Sequence, residues 1–335
     1  MQSPTFFKLD APAPLVEYLR KQEWIDNHEH VLRITKAGEG NMNFVARVLT
    51  DQRSLIFKQS RPWVEKYPQI EAPVERIESE VAFYEAIQQH PTLKTGMPTL
   101  LGVDKAGRCA LFEDLGEVED YASIYDGNLA PVDEIKTLVR WLSTLHNTSF
   151  PSSIKSALNN LPMRTLNHAH LYDIPLQADN SLNLDDITPG LQAVAEDLKQ
   201  DQAYCDAIRA LGARYLDTGN TLLHGDFYPG SWVRTDNGPR VIDPEFGFFG
   251  PAEYDMGVCK AHLIMAEYAL ETIEEILAVY DAPAGYEGDL ADQYAGMEIM
   301  RRLIGVAQLP MTRDFALKKA LLALSRKLVL NTSEN

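Results

Sequence analysis

Leu222-Leu223-His224-Gly225-Asp226 and, seventeen positions after that aspartate, Val241-Ile242-Asp243 are the stretches that decide how this chain is read. Each is an apolar run that delivers an aspartate, and Ser231 follows Asp226 by five residues. Between them Asp236-Asn237-Gly238 signals a tight turn, flanked by Trp232-Val233 and Arg240-Val241-Ile242. The order is therefore loop, strand, turn, strand, aspartate. Two carboxylates delivered in this way suit phosphoryl transfer from a nucleotide: one meets the attacking hydroxyl and the other, on a short hairpin, holds Mg2+ against the phosphates. A metal-dependent hydrolase built on His168-Ala169-His170 and His224 is the weaker alternative, because no further histidine stands at ligand spacing.

At 335 residues the chain is long enough for two lobes and a sizeable core. Its formal charge of −17, with no Lys/Arg cluster, disfavours nucleic acid or an anionic membrane as a partner. The first residues lack a basic region followed by a long apolar stretch, so no signal peptide is expected. No run approaches the roughly 20 apolar residues of a membrane span. Cys109, Cys205 and Cys259 are odd in number and widely spaced, which fits free thiols in a reducing cytoplasm.

Residues from about 28 to 115 read as strand-rich with one helix. Phe44–Leu49 and Ser54–Lys58 form a hairpin around a polar turn, and Glu75–Gln89 carries Ile77, Val81 and Tyr84 at helical spacing. Arg108–Phe112 reads as a buried strand with Glu113-Asp114-Leu115-Gly116 as its exit. Helical periods follow at Asp133–Asn147 and at about 191–215, 253–280, 287–308 and 313–330. The span 150–190, rich in Pro, Asn and Asp, is the least regular and reads as an insertion over the site.

Several residues upstream have chemistry to offer. Gly38 and Gly40, with Asn41, stand before the first strong strand, where glycines let backbone N–H groups approach phosphate oxygens; an ordinary turn is the bland alternative. Lys58 ends the next strand and can reach phosphates if a helix carboxylate anchors it. Glu80 is the candidate anchor, with Glu78 and Glu85 as rivals within the uncertainty of helix register. Asp226 would orient the acceptor hydroxyl and take its proton, with Gly225 leaving room beside it. Asp243 is the leading metal ligand, since Mg2+ prefers carboxylate and phosphate oxygens. Glu245 is a second metal ligand or an acceptor of substrate hydroxyls, and Ser231 a weaker ligand. Asp255 either caps a helix or is a buried carboxylate that holds the N–H groups of the loop around Asp226. His224 reads as a brace for that loop.

These residues resemble the aminoglycoside phosphotransferase-like kinase superfamily and, within it, the 5-methylthioribose kinases. The wider likeness rests on His224-Gly225-Asp226, Ile242-Asp243, Lys58 and the glycine loop. The narrower one rests on Gly38–Asn43, Glu113-Asp114-Leu115, Gly230-Ser231, Asp243-Pro244-Glu245-Phe246, Phe249-Gly250-Pro251 and Tyr254-Asp255-Met256-Gly257. Arg301-Arg302 matches a twin arginine that the family places at the phosphate-receiving side of the cleft; pairing with surface acids is the alternative. Phe227-Tyr228-Pro229 departs from the family's Leu-His-Thr-like run and puts Tyr228 where a histidine is usual.

The resemblance implies an α+β, two-lobed protein-kinase-like fold, with a small β-rich nucleotide-binding lobe over residues 1–115 and a larger helical catalytic lobe over 116–335. It implies ATP and Mg2+ as cofactors, with Glu113 and Leu115 contributing backbone contacts to adenine. The acceptor would be a small hydroxyl-bearing metabolite, methylthioribose or a related sugar, touching Tyr228, Glu245, Arg301 and Arg302. Another acceptor (an aminoglycoside, choline, homoserine or a ketosamine) is the nearer alternative, and a silent binding protein the further one. Relatives often dimerise, so a homodimer is carried as an expectation, with a cytoplasmic location.

Overall fold

The computed structural model describes residues 5–38, 42–309 and 314–331. Its first part contains helix α1 (Ala13–Lys21) and strands β1 (Val31–Lys36), β2 (Phe44–Thr50) and β3 (Ser54–Gln59). A short hairpin, β4 (Trp63–Val64) with β5 (Tyr67–Glu71), leads into α2 (Arg76–Ile87) and α3 (Pro91–Thr95). Strands β6 (Leu100–Asp104) and β7 (Cys109–Glu113) complete an antiparallel sheet of order β1-β2-β3-β7-β6.

Alternation along the strands decides what each face of this sheet does. Phe44, Ala46 and Val48 of β2, Leu55 and Phe57 of β3, and Cys109 and Leu111 of β7 pack under Leu15 and Leu19 of α1. The intervening residues face the other way. Ala110 and Phe112 of β7 join Ile77, Val81 and Tyr84 of α2 in the core that continues into the C-terminal part. Strand β7 is therefore buried on both faces, as its uninterrupted apolar run suggests. Lys58, paired with Val45 on one side and Ala110 on the other, projects on the α2 side.

The remainder contains β8 (Glu119–Asp120) and helices α4 (Val132–Asn147), α5 (Ser152–Ala157), α6 (Leu161–His168), α7 (Leu191–Gln200) and α8 (Gln202–Leu216). Strands β9 (Thr221–Leu223), β10 (Trp232–Thr235), β11 (Gly238–Val241) and β12 (Phe248–Gly250) precede α9 (Ala252–Met265), α10 (Leu270–Leu277), α11 (Gly288–Ile304) and α12 (Phe315–Leu330). The molecule is thus a small β-rich N-terminal lobe beside a larger helical lobe. Strands β10 and β11 form the expected hairpin, with Trp232 opposite Val241 and Thr235 opposite Gly238 across a two-residue turn. Strand β12 pairs with β9, Phe248 opposite Leu223, so the chain leaving Asp243 returns beside the chain entering His224.

Some sequence expectations need correction. The span 28–115 holds α3 besides α2, and α1 precedes it. α1 is tied down by Leu15 and Leu19, one turn apart and fully buried. The span 150–190 is largely helical: α5, α6 and a wide turn at Ala169–Asp173. The period at 191–215 is two helices broken at Asp201, whose side chain accepts from Tyr204 N at 3.1 Å and caps α8. The period at 253–280 also breaks, at Glu267 with φ 63°. All three cysteines are buried and free. Among the described residues no helix is long and apolar enough to cross a membrane.

Candidate active site

A cleft of about 720 Å3 runs between the sheet and the helical lobe, lined among others by Gly38, Lys58, Phe112, Leu115, Asp226 and Asp243. Lys58 is an anchored cation in this cleft. Its Nζ lies 2.7 Å from Glu80 Oε1 and also contacts Asp243 Oδ1. Glu80 is fully buried on α2, whereas Glu78 and Glu85 are exposed, so the helix register selects the first of the three rivals. Burial works against the ammonium, but Asp243 and Glu80 outweigh it and hold the Lys58 pKa well above its ordinary value. Lys58 therefore stays charged.

Asp243 adopts φ 60°, left-handed backbone that a non-glycine residue enters at a cost of roughly 1–3 kcal/mol. Its neighbours impose that conformation. Val241 N donates to Gly96 O at 2.8 Å, Ile242 N donates to Ser231 O at 2.9 Å, and Ile242 O lies 3.0 Å from His224 Nε2. A carbonyl only accepts, so His224 Nε2 carries the proton. The histidine thus braces the two aspartate-bearing loops against each other.

The His-Gly-Asp turn is held from beneath by Asp255. Its Oδ2 accepts from His224 N at 2.7 Å and its Oδ1 from Gly225 N at 3.0 Å, while His146 Nε2 lies 3.2 Å from Oδ2. Of the two sequence alternatives the buried carboxylate is the one found. Gly225 has φ 83°, and a Cβ there would sit 2.2 Å from Phe246 O. Glycine is required by this close approach between loops rather than by space beside Asp226.

Asp226 is turned towards α11, with Arg301 Nη2 3.5 Å and Arg302 Nη2 3.6 Å from its Oδ1. Burial raises its pKa, and the two guanidinium groups pull the other way without cancelling the effect. Tyr228 stacks under Arg302, whose Cζ lies 4.5 Å from the ring centre. Its phenol is pushed up to about 12, by burial first and Asp226 second. Ser231 is buried and lines the cleft.

Glu245 is more constrained than its sequence position implied. Asn43 Nδ2 donates to its Oε2 at 2.7 Å, and Arg76, fully buried, donates from Nε to Asn43 Oδ1 at 2.8 Å. Burial, with Glu80 and Asp243 close by, pushes the Glu245 carboxyl up to about 8. A cluster of Glu80, Asp243 and Glu245 facing Lys58 and Arg76 is a setting that a further cation would favour. Among the described residues no group of three His, Cys, Asp or Glu side chains could cage a metal.

At the connection between lobes Glu113 accepts from Thr99 N at 2.9 Å, which leaves its side chain committed, and Leu115 lines the cleft. Gly38, with φ 63°, also lines the cleft. Gly40 and Asn41 lie outside the described residues. His168 and His170 do not meet His224 in a ligand set: His168 pairs with Asp173 and His224 with Ile242.

Sequence reasoning missed four groups that organise the site. Asp114 accepts from Arg47 Nη2 at 3.1 Å and fixes the connection. Asn160 donates to Glu245 O at 2.9 Å and Gly247 O at 3.0 Å, and accepts from Ser79 of α2 at 3.0 Å. Glu298 binds both arginines, and His262 binds Glu298. Only Glu298 had a local signal, standing three and four positions before Arg301 and Arg302.

The sequence pattern of the phosphotransferase enzyme family (APH) matches residues 33–291. Methylthioribose kinase 1 of Oryza sativa subsp. japonica is 27% identical over 257 residues, 71% of this chain and 57% of that protein. The chain thus spans less than two thirds of that relative's length. Methylthioribose kinase of Klebsiella pneumoniae is 26% identical over 332 residues, 94% of this chain and 79% of that protein. Among solved structures, choline kinase LicA from Streptococcus pneumoniae aligns with a TM-score of 0.55 at 12% identity, covering 96% of this chain and 100% of that one. Spectinomycin phosphotransferase in complex with ADP and spectinomycin gives 0.54 at 14% identity, covering 94% and 98%. These likenesses establish a kinase-like fold.

Proposed function

Since the chain belongs to the phosphotransferase enzyme family, we propose that it transfers the γ-phosphoryl group of ATP, with Mg2+, to a hydroxyl of a small metabolite, methylthioribose or a related sugar. The observation that carries this reading is the buried lysine bridge, Glu80 to Lys58 to Asp243, spanning a cleft whose far wall presents Asp226. Relatives named methylthioribose kinase support the acceptor class.

In this reading residues 1–115 bind nucleotide. Gly38, Gly40 and Asn41 cover the phosphates, Lys58 grips them, and the backbone of Glu113 and Leu115 meets adenine. Residues 116–335 supply Asp226, which orients the acceptor hydroxyl and takes its proton. Asp243, with Glu245 or Ser231, would hold Mg2+, whose charge would offset that of the phosphates. Catalysis comes from positioning and charge neutralisation. The reaction belongs in the cytoplasm, where ATP is at hand and the buried thiols stay reduced.

Metal dependence tests Asp243. An ATP analogue titrated by calorimetry with and without Mg2+ should bind with strong metal coupling in the wild type. In Asp243→Ala most of that coupling should disappear. If it persists unchanged, Asp243 is structural and the metal is held elsewhere.

The acceptor end of the cleft carries two guanidinium groups, Arg301 and Arg302, against two carboxylates, Asp226 and Glu298. Paired guanidinium groups at that end suit a neutral polyol better than a polycation. The test is kcat/KM for methylthioribose, ribose and kanamycin under one set of conditions. Methylthioribose should rank first. Kanamycin turned over best, with neither sugar phosphorylated, would overturn the acceptor and leave phosphotransfer standing.

A further inference from the structure

Glu298 is completely buried on α11, on the helix face shared by the two arginines that follow it. Its Oε2 accepts from Arg301 Nε at 2.5 Å and its Oε1 from Arg302 Nε at 2.8 Å. Each guanidinium fork is thus held by its Nε edge, and its Nη2 is left facing Asp226. Burial works against the Glu298 charge, but Arg301, Arg302 and His262 hold its carboxyl well below the ordinary range. An ionised carboxylate only accepts, so His262 Nε2, 2.9 Å from Oε1, carries the proton. His262 Nδ1 then accepts from Tyr125 OH at 2.6 Å. Burial lowers the His262 pKa to about 4, so the ring is neutral near pH 7.

We infer that Glu298, braced by His262 and Tyr125, is a positioning residue that aims both guanidinium forks at Asp226 and sets the charge balance there. The inference rests on the phosphotransfer reading. At rest two carboxylates match two guanidinium groups. In transfer the acceptor O–H bond breaks and its proton passes to Asp226. The acceptor oxygen bonds to the γ-phosphorus, the bond from phosphorus to the bridging oxygen breaks, and its electron pair leaves with ADP. Once Asp226 is neutral, the Nη2 donors lose their counter-charge just as phosphoryl oxygens arrive to replace it. Glu298 keeps its own charge and stops the forks from swinging away.

The test reads Asp226 directly. The charged and titratable groups acting on it are Arg301, Arg302 and Glu298 from α11, His224 and Tyr228 from its own loop, and Tyr215 and Tyr254 from α8 and α9. Glu298→Gln keeps the shape and removes one negative charge. Carboxyl 13C NMR on ligand-free, aspartate-labelled protein, with the signal assigned through Asp226→Asn, should show the Asp226 midpoint falling by about half a unit or more. With ATP, Mg2+ and methylthioribose, kcat should fall about 10- to 100-fold while ADP affinity stays within about threefold. His262→Asn removes the brace and should lower kcat without moving the midpoint as far. An unmoved Asp226 midpoint in Glu298→Gln, with kcat lost only in proportion to unfolded protein, overturns the inference. If the wild type phosphorylates no sugar, the acceptor reading fails while the titration still decides the role of Glu298. Should Glu298→Gln not fold, Glu298→Asp keeps the charge with a shorter reach. Lower kcat at a nearly unchanged midpoint supports the inference, and wild-type kcat overturns it.

Discussion

Asp226→Ala is expected to lower turnover by about 10²–10⁴ while ADP binds nearly as well as to the wild type. In the proposed reading the nucleotide end of the cleft depends on Lys58, Glu80 and Asp243, whose ion pairs the substitution does not touch. The fold should survive, because Glu298 still satisfies both arginines. What disappears is the carboxylate proposed to fix the attacking hydroxyl and receive its proton. Its raised pKa gives a second readout. A carboxylate acts as a base only when ionised, so kcat/KM should fall as pH drops through that raised value. This acid limb should lie above the ordinary carboxylate range in the wild type and be absent from the variant. Near-wild-type turnover with an identified acceptor would remove Asp226 from the mechanism.

Asp255→Ala is expected to destabilise the protein by about 2–4 kcal/mol, the scale of stranding buried hydrogen-bond donors. Two backbone N–H groups, of His224 and Gly225, and one imidazole N–H, of His146, depend on this single side chain. Bulk solvent does not reach these donors, since Asp255 and His224 are both 0% exposed. Asp255→Asn should cost less, because its carbonyl oxygen still serves one donor. Urea unfolding monitored by tryptophan fluorescence gives the stability. Turnover per folded molecule should also drop, because the loop it tethers carries Asp226. A variant as stable as the wild type would show that the loop holds itself.

The sequence made the two aspartate-bearing loops, the hairpin between them and the strand carrying Lys58 legible, because local signals encode them: a turn dipeptide, alternation and an apolar run ending in charge. Glu80 was legible only as one of three glutamates, since helix register is settled by what α2 packs against. The helix breaks at Asp201 and Glu267 were invisible to periodicity. Apolar spacing continues across both, and the break depends on a cap in one case and a backbone reversal in the other. Asp255 was seen but left between two roles, which only its distance from His224 separates. Tyr125, His262 and Glu298 could not be grouped from sequence at all. Their bonds cross 137 and 36 positions, and the one local signal, the spacing of Glu298 from Arg301 and Arg302, points away from His262 and Tyr125. Asn160 escaped because the segment that holds it reads as polar and irregular, although its left-handed backbone and buried amide make it a fixed point.

That fixed point bears on how the molecule could move. Through Ser79 and Asn160, α2 is fastened to the loop that follows Asp243, and Phe83 of α2 packs against His224 at a ring separation of 6.2 Å. Early in the sequence, α2 is therefore keyed to the later half. Lys58, by contrast, rides on the sheet. Arg76 ties the start of α2 to Asn43 and to the carbonyls of Met42 and Arg61 on the sheet side, so a rotation of the sheet about the Glu113–Gly116 connection would have to yield at one of the two attachments. The distance from the ammonium to Glu80 would then record how far the jaws have closed, and ownership of the lysine would pass between Glu80 and Asp243 as they do. The cation would serve as a latch whose setting a nucleotide could read.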